Sequence, residues 1–351
     1  MNARSIDINT FLEMASEYPV IDVRSPSEYA HAHFPEAISM PLFDDEERKV
    51  VGTTYKQQSR EQAIKIGLDY FGVKMKTMVE KTEALLEQRA TRTVIVHCWR
   101  GGMRSGAVAW LLALYGFKVF TLEGGYKSFR RCVLEALARP HRLKVLGGFT
   151  GSGKTAVLQE FSKQGVPVID LEQLAMHRGS AFGGLGMPPQ CSAEQFENKL
   201  ALELLDIAKN YPGQAIWVES ESQRIGNINM QHTFFRQMLQ APYVFLDIPF
   251  EERLKYIVQE YGSFDKTDLA NTIKRIQKRL GGLETKTALQ HLEQNDVASC
   301  FRILLYYYDK FYRKSNLGFR NDKMNIAMPN TDAVQNAAAI LNLNLLKYGT
   351  N

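Results

Sequence analysis

Two loops in this chain bring together residue types suited to anion binding and group transfer. The first is Cys98-Trp99-Arg100-Gly101-Gly102-Met103-Arg104-Ser105, directly after the apolar run Val94-Ile95-Val96. A cysteine at a strand end, facing the N–H groups of a glycine-rich turn and a helix start, has its thiolate stabilised and can act as a nucleophile. Arg100 and Arg104 add positive charge and outline an anion pocket. The second loop is Gly148-Phe149-Thr150-Gly151-Ser152-Gly153-Lys154-Thr155, directly after Val145-Leu146-Gly147. Across Gly148, Gly151, Ser152 and Gly153 the backbone can close its N–H groups around a phosphate. Lys154 supplies a point charge, and Thr155 can hold a magnesium ion. This motif specifies a phosphate chain and not a reaction.

A phosphate loop needs a carboxylate at a neighbouring strand end. Asp170, Glu219 and Glu221 are the candidates, while Asp247 reads as the cap of the helix after it. His177-Arg178-Gly179-Ser180, followed by further glycines, faces either an acceptor group or plain solvent. His97 should point to the face of its strand opposite Cys98 and serve packing. Trp99 can line a pocket or pack.

These sites require strands that end at them and helices that start from them. Strands are expected at 19–23, 37–40, 94–97 and 118–121, then at 143–146, 166–170, 215–219 and 243–247, with helices between. The alternation gives an α/β chain of two parallel-sheet domains, 1–137 and 138–351. The segment from Leu42 to about Gln88 reads as a mostly helical insertion. A basic amphipathic helix from Lys127 to about Pro140 closes the first domain. From about Glu251 the chain reads helical, with a break at Gly281-Gly282.

The chain has 351 residues, 45% hydrophobic and 23% charged, with a formal net charge of +5. That length suits two domains, and no run approaches the roughly 20 apolar residues of a membrane span. The N-terminus lacks the apolar core of a signal peptide, so a cytoplasmic location and no membrane partner are expected. Cys98, Cys132, Cys191 and Cys300 form no C-x-x-C pair, which gives neither a zinc site nor a disulfide framework. No side-chain cluster indicates a resident metal, and no tightly bound cofactor is expected. Residues 266–323 hold twelve Lys and Arg against six Asp and Glu. Arg130, Arg131 and one helical run with Lys274, Arg275, Lys278 and Arg279 are candidates for phosphate-backbone contacts. A solvated helix face is the plain alternative. Tyr306-Tyr307-Tyr308 with Phe311 and Tyr312 can stack on bases or form a core stripe.

The first 135 or so residues resemble a rhodanese domain. The resemblance lies in Ile21-Asp22-Val23-Arg24-Ser25-Pro26-Ser27-Glu28-Tyr29, His33-Phe34-Pro35-Glu36-Ala37-Ile38, the Cys98 loop and Leu122-Glu123-Gly124-Gly125-Tyr126. It implies that Cys98 carries sulfur or selenium. The spacing departs from the usual rhodanese loop: five residues, not four, separate Cys98 from Arg104. The wider loop suits a tetrahedral, phosphate-bearing donor. Together with the P-loop NTPase-like half and its helical C-terminal region, the whole chain resembles the bacterial tRNA 2-selenouridine synthase family. Val51-Gly52-Thr53 with Tyr55-Lys56 and His177-Arg178-Gly179-Ser180 share that likeness.

The resemblance implies a transferase that replaces sulfur by selenium in wobble 2-thiouridine of tRNA. It implies S-geranylation from geranyl diphosphate, then displacement by selenium from selenophosphate. tRNA is the implied partner, and an enzyme that makes selenophosphate is a candidate second one. Two rival readings come from other classes. One is a sulfurtransferase or cysteine phosphatase fused to a small-molecule kinase. The other is a non-catalytic RNA-binding module.

Overall fold

The computed structural model describes residues 3–87, 89, 91–315 and 323–347. The chain divides into two compact units. One comprises residues 1–136 with 197–199, the other 137–196 with 200–351.

The first unit is built on five parallel strands: β1 (Arg4–Ile6), β2 (Val20–Asp22), β3 (Ile38–Ser39), β4 (Thr93–His97) and β5 (Lys118–Leu122), in the order β1-β5-β4-β2-β3. β4 is buried along its whole length, which its apolar sequence requires of a central parallel strand. The sheet edge β1 was not expected from the sequence. The insertion between β3 and β4 is three helices, Asp45–Gln57, Arg60–Gly72 and Met75–Leu86. A capping box starts the first of them: Glu47 N–H donates to Asp44 Oδ1 at 2.8 Å, and Asp44 N–H donates back to Glu47 Oε2 at 2.9 Å. Phe43, Phe71, Met78 and Leu86 from this insertion join the sheet residues Ile21, Val94 and Val96 in one core.

The second unit has β6 (Leu143–Gly148), β7 (Val168–Ile169), β8 (Ile216–Glu219), the antiparallel pair β9 (Arg224–Ile225) and β10 (Ile228–Asn229), β11 (Tyr243–Asp247) and β12 (Lys323–Ala327). Its main sheet is parallel in the order β12-β11-β6-β8-β7. β6 is central: the chain passes from it to β7 and β8 on one side, then crosses to β11 and β12 on the other. The carboxyl end of such a strand is the crevice where α/β sheets bind ligands. The final third departs from an all-helical reading, because β12 returns to pair with β11 in register from Tyr243↔Lys323 to Asp247↔Ala327. The helices Phe250–Tyr261, Lys266–Arg275, Gly282–Glu293 and Val297–Ser315 bury Leu254, Ile257, Leu269, Ile273, Leu292 and Leu304 in a core of their own. Among the described residues no helix is long and apolar enough to cross a membrane.

Candidate functional sites

In the first unit, β4 delivers Cys98 to a turn that opens the helix Met103–Tyr115. The turn packs against the Gly124-Gly125 corner after β5. Gly101 has φ +64, and a Cβ there would lie 2.6 Å from the Leu122 carbonyl oxygen. A Cβ on Gly125 would lie 2.4 Å from the Cys98 carbonyl oxygen. The loop's carbonyls in turn accept from the start of the next helix: Tyr126 N–H donates to Cys98 O at 2.8 Å and Lys127 N–H to Trp99 O at 2.9 Å. With these carbonyls turned outward, the loop's N–H groups face the sulfur.

The Cys98 side chain is 3% exposed. Its Sγ accepts from Gly102 N–H at 3.4 Å and lies 3.2 Å from the Ser105 hydroxyl. Burial pushes the thiol's pKa up. The Ser105 hydroxyl and the N–H groups of Ser105, Gly102 and Arg100 outweigh it, and the net shift is downward. Arg104 does not lean on the sulfur. It donates to Glu28 at 2.6 and 3.3 Å in a two-pronged pair, and Glu28 also accepts from Ser25 N–H at 3.0 Å. Burial raises the Glu28 carboxyl, but Arg104 holds it below the usual range. Arg100 is exposed on the loop, and Trp99 rests against Tyr126 with ring centroids 5.6 Å apart. His97 is buried between Phe11 and Tyr126, 3.8 Å from Asp22, so it packs as expected of its alternate face. Burial first, then Arg24, disfavours its charge over the opposing pull of Asp22. Arg24, itself buried, pairs with Asp22 at 2.6 Å and covers Tyr126, fixing the strand ends beneath the loop.

In the second unit, β6 runs into the phosphate loop and the helix Lys154–Lys163. Gly151 and Gly153 have φ of +79 and +73, a region that favours glycine. Lys154 Nζ donates to Gly148 O at 3.3 Å, closing the loop on itself. Ser152 is fully buried, and its hydroxyl has no partner among the described residues. The Thr155 hydroxyl donates to Glu172 Oε2 at 3.3 Å.

Sequence reasoning missed Glu172, which follows the short β7 by three residues. The carboxylates around it form the site's acidic side. Glu219, at the end of β8, is 1% exposed; its Oε1 accepts from Glu172 N–H at 2.6 Å, and its Oε2 has no partner among the described residues. Burial, then the charges of Asp170 and Glu172, raise Glu219 well above the usual carboxylate range. Glu221 is raised likewise by burial and by Glu172, with which it shares a hydrogen bond. Asp170 is instead committed to a cap, accepting from Gln173 N–H at 2.7 Å. The loop His177–Ser180 arrives at the same place. Gly179 has φ +67, and a Cβ there would lie 2.4 Å from Glu221 Oε1 and 2.6 Å from Glu172 Oε1. Among the described residues no three His, Cys, Asp or Glu side chains are placed to hold a metal ion together. Asp247 does not cap the next helix. Pro249 takes that position, because the chain spends two further residues, Ile248 and Pro249, before turning.

Lys274, Arg275, Lys278 and Arg279 are all exposed. They lie on two short helices, Lys266–Arg275 and Gln277–Leu280, rather than one. Ile276 breaks the helix where it buries its side chain. Arg131 is exposed, whereas Arg130 pairs with Glu197 at 2.6 Å. Of the tyrosine run, Tyr307 and Tyr308 pack on the helical core and Tyr312 lies at a tilt against Phe149, while Tyr306 and Phe311 stay exposed.

Residues 7–132 match the family model of the rhodanese-like domain, and residues 141–339 match that of the tRNA 2-selenouridine synthase AAA domain. A tRNA 2-selenouridine synthase of Nitrosomonas eutropha is 32% identical over 364 residues, covering 89% of this chain and 92% of that protein. One from Hydrogenovibrio crunogenus is 35% identical, covering 79% and 80%. One from Nitrosomonas europaea is 38% identical over 260 residues, covering 73% of this chain and 66% of that protein.

Proposed function

The chain belongs to the tRNA 2-selenouridine synthase family, and from that premise we propose that it exchanges sulfur for selenium in wobble 2-thiouridine of tRNA, with one chemical step at each loop. The phosphate loop takes the diphosphate of geranyl diphosphate. The thiouridine sulfur then attacks the allylic carbon, an S–C bond forms, and diphosphate leaves. The alkylated sulfur is now a thiol-type leaving group. At the Cys98 loop, the selenium of selenophosphate attacks C2 of the uridine, the C2–S bond breaks and geranyl thiol leaves; water then cleaves the Se–P bond and phosphate is released.

The observation that supports this reading best is the different preparation of the two loops. Cys98 is buried among hydrogen-bond donors that favour its thiolate. That suits a soft nucleophile handling selenium beside an anionic donor. Lys154 and the glycine turn offer charge and backbone to a phosphate chain. Thr155 and Glu172 present hard oxygen donors 3.3 Å apart, a pair that suits magnesium. Bound there, magnesium would supply charge neutralisation for the diphosphate. The exposed Lys274, Arg275, Lys278 and Arg279 suit the RNA backbone.

The test is mass spectrometry of the wobble uridine in tRNA from cells with and without this protein, grown with selenium. The reading expects 2-selenouridine only when the protein is present. A hydrolysed aryl phosphate with no tRNA product would favour the phosphatase reading instead.

A further inference from the structure

The phosphate loop contains a turn whose type decides where one of its N–H groups points. Ser152 N–H donates to Phe149 O at 3.1 Å, and Gly151, the third residue of the turn, has φ +79. Thr150 is not among the residues with positive φ, so the turn is type II. Types I and II differ by a flip of the central peptide, here Thr150–Gly151. In a trans peptide the C=O and N–H point in opposite directions. The placement of the Thr150 oxygen therefore fixes the direction of the Gly151 N–H.

Arg253 holds that oxygen. Its Nη1 donates to Thr150 O at 3.1 Å and to Asp309 Oδ1 at 2.9 Å, its Nη2 to Asp309 Oδ2 at 2.7 Å, and its Nε to Ile248 O at 3.1 Å. The residue is 3% exposed, and its guanidinium lies 4.9 Å from the Phe149 ring centroid and 5.4 Å from that of Phe250. A planar fork bound on all these sides has a single position. The same helix presses on the turn directly: a Cβ on Gly151 would lie 2.7 Å from Ile257 Cδ1 and 2.9 Å from Arg253 O.

We propose that Arg253, braced by Asp309, is a positioning residue for the phosphate donor: it holds the Thr150 carbonyl outward so that the Gly151 N–H faces the bound phosphate chain. Neither residue belongs to the phosphate-loop motif, and they lie on the helices Phe250–Tyr261 and Val297–Ser315. The inference rests on reading this loop as a diphosphate cradle. The competing account is that the ion pair only ties two helices together.

Arg253→Met/Asp309→Leu separates the two accounts. Replacing both members of a buried pair by apolar residues commonly leaves stability unchanged or raised. The readouts are the thermal transition of the full chain and calorimetric binding of inorganic diphosphate. The proposal expects a wild-type transition with diphosphate affinity lowered about tenfold, the scale of one charge-assisted hydrogen bond. A folded double variant with wild-type affinity overturns it. Arg253→Lys is the second probe, should the double variant not fold. It keeps the charge beside Asp309 but cannot reach Thr150 O and Ile248 O as well. It is expected to show the same loss with tRNA affinity unchanged, and wild-type diphosphate affinity there overturns the proposal equally. Lys154→Ala isolates the premise. If it binds diphosphate like wild type, the cradle reading fails. If it alone loses binding, only the role of Arg253 fails.

Discussion

Ser105→Ala tests whether the cysteine loop stabilises a thiolate through its hydroxyl. The Ser105 hydroxyl has one proton and two acceptors in reach, Cys98 Sγ at 3.2 Å and Gly102 O at 3.1 Å. Facing a neutral thiol, it prefers the carbonyl. Facing a thiolate, it turns to sulfur, because a charged acceptor makes the stronger bond. A hydrogen bond to a charged group contributes about 1.5–3 kcal/mol. At about 1.4 kcal/mol per decade, losing it should cut the thiolate fraction near neutral pH roughly tenfold to a hundredfold. The sign follows from the direction of the shift: the loop holds the thiol's pKa down, so removing a donor moves ionisation to higher pH. The assay is the pH profile of Cys98 alkylation by iodoacetamide, with the modified peptide identified by mass spectrometry. Ser105→Thr should restore the wild-type profile. Coincident profiles for wild type and Ser105→Ala would mean that the hydroxyl stays on Gly102 O, and the reasoning would be refuted.

Lys154→Ala should abolish geranylation of tRNA and selenation with it, yet still selenate tRNA supplied already geranylated; chromatography of the wobble nucleoside reads both. Gly179→Ala should lower geranylation at least about tenfold, because the new Cβ must displace the Glu172 and Glu221 carboxylates from a left-handed backbone position. Cys98 alkylation in that variant should match wild type, and a normal geranylation rate would show that the carboxylates tolerate the move. Reversing Lys274, Arg275, Lys278 and Arg279 to glutamate should weaken all tRNAs alike. Each lost phosphate contact should flatten log affinity against log salt by roughly 0.7–0.9. An unchanged filter-binding titration at two salt concentrations would return these residues to a solvated surface.

The two loops were legible because each motif is contiguous and its neighbours in sequence, a buried strand and a helix, are also its neighbours in space. The partners that set their geometry were not. Glu28 reaches Arg104 from 76 positions away, and Asp309 reaches Arg253 from 56. No local pattern marks either acid as paired. Glu172 was hidden differently: it stands beside Asp170, the more conspicuous strand-end acid, which the structure spends on a helix cap. Leu269, Ile273, Ile276 and Leu280 keep helical spacing straight through the break at Ile276, so spacing alone does not separate the two helices that carry the basic run. β1 and β12 escaped notice as edge strands of three and five residues, where pairing to a neighbour rather than composition decides the conformation. The glycines at 101 and 125 were visible as motif letters, but the reason for them, two turns in backbone contact, is tertiary.

The central claim is that two separate chemical steps are divided between the two loops. The most direct test incubates 2-thiouridine tRNA with Cys98→Ser, geranyl diphosphate and selenophosphate, and identifies the wobble nucleoside by mass spectrometry. The account predicts that S-geranyl-2-thiouridine accumulates and 2-selenouridine is absent, since the phosphate loop is intact and the selenium-handling thiol is gone. Wild-type levels of 2-selenouridine in this variant, or no geranylated nucleoside at all, would contradict it.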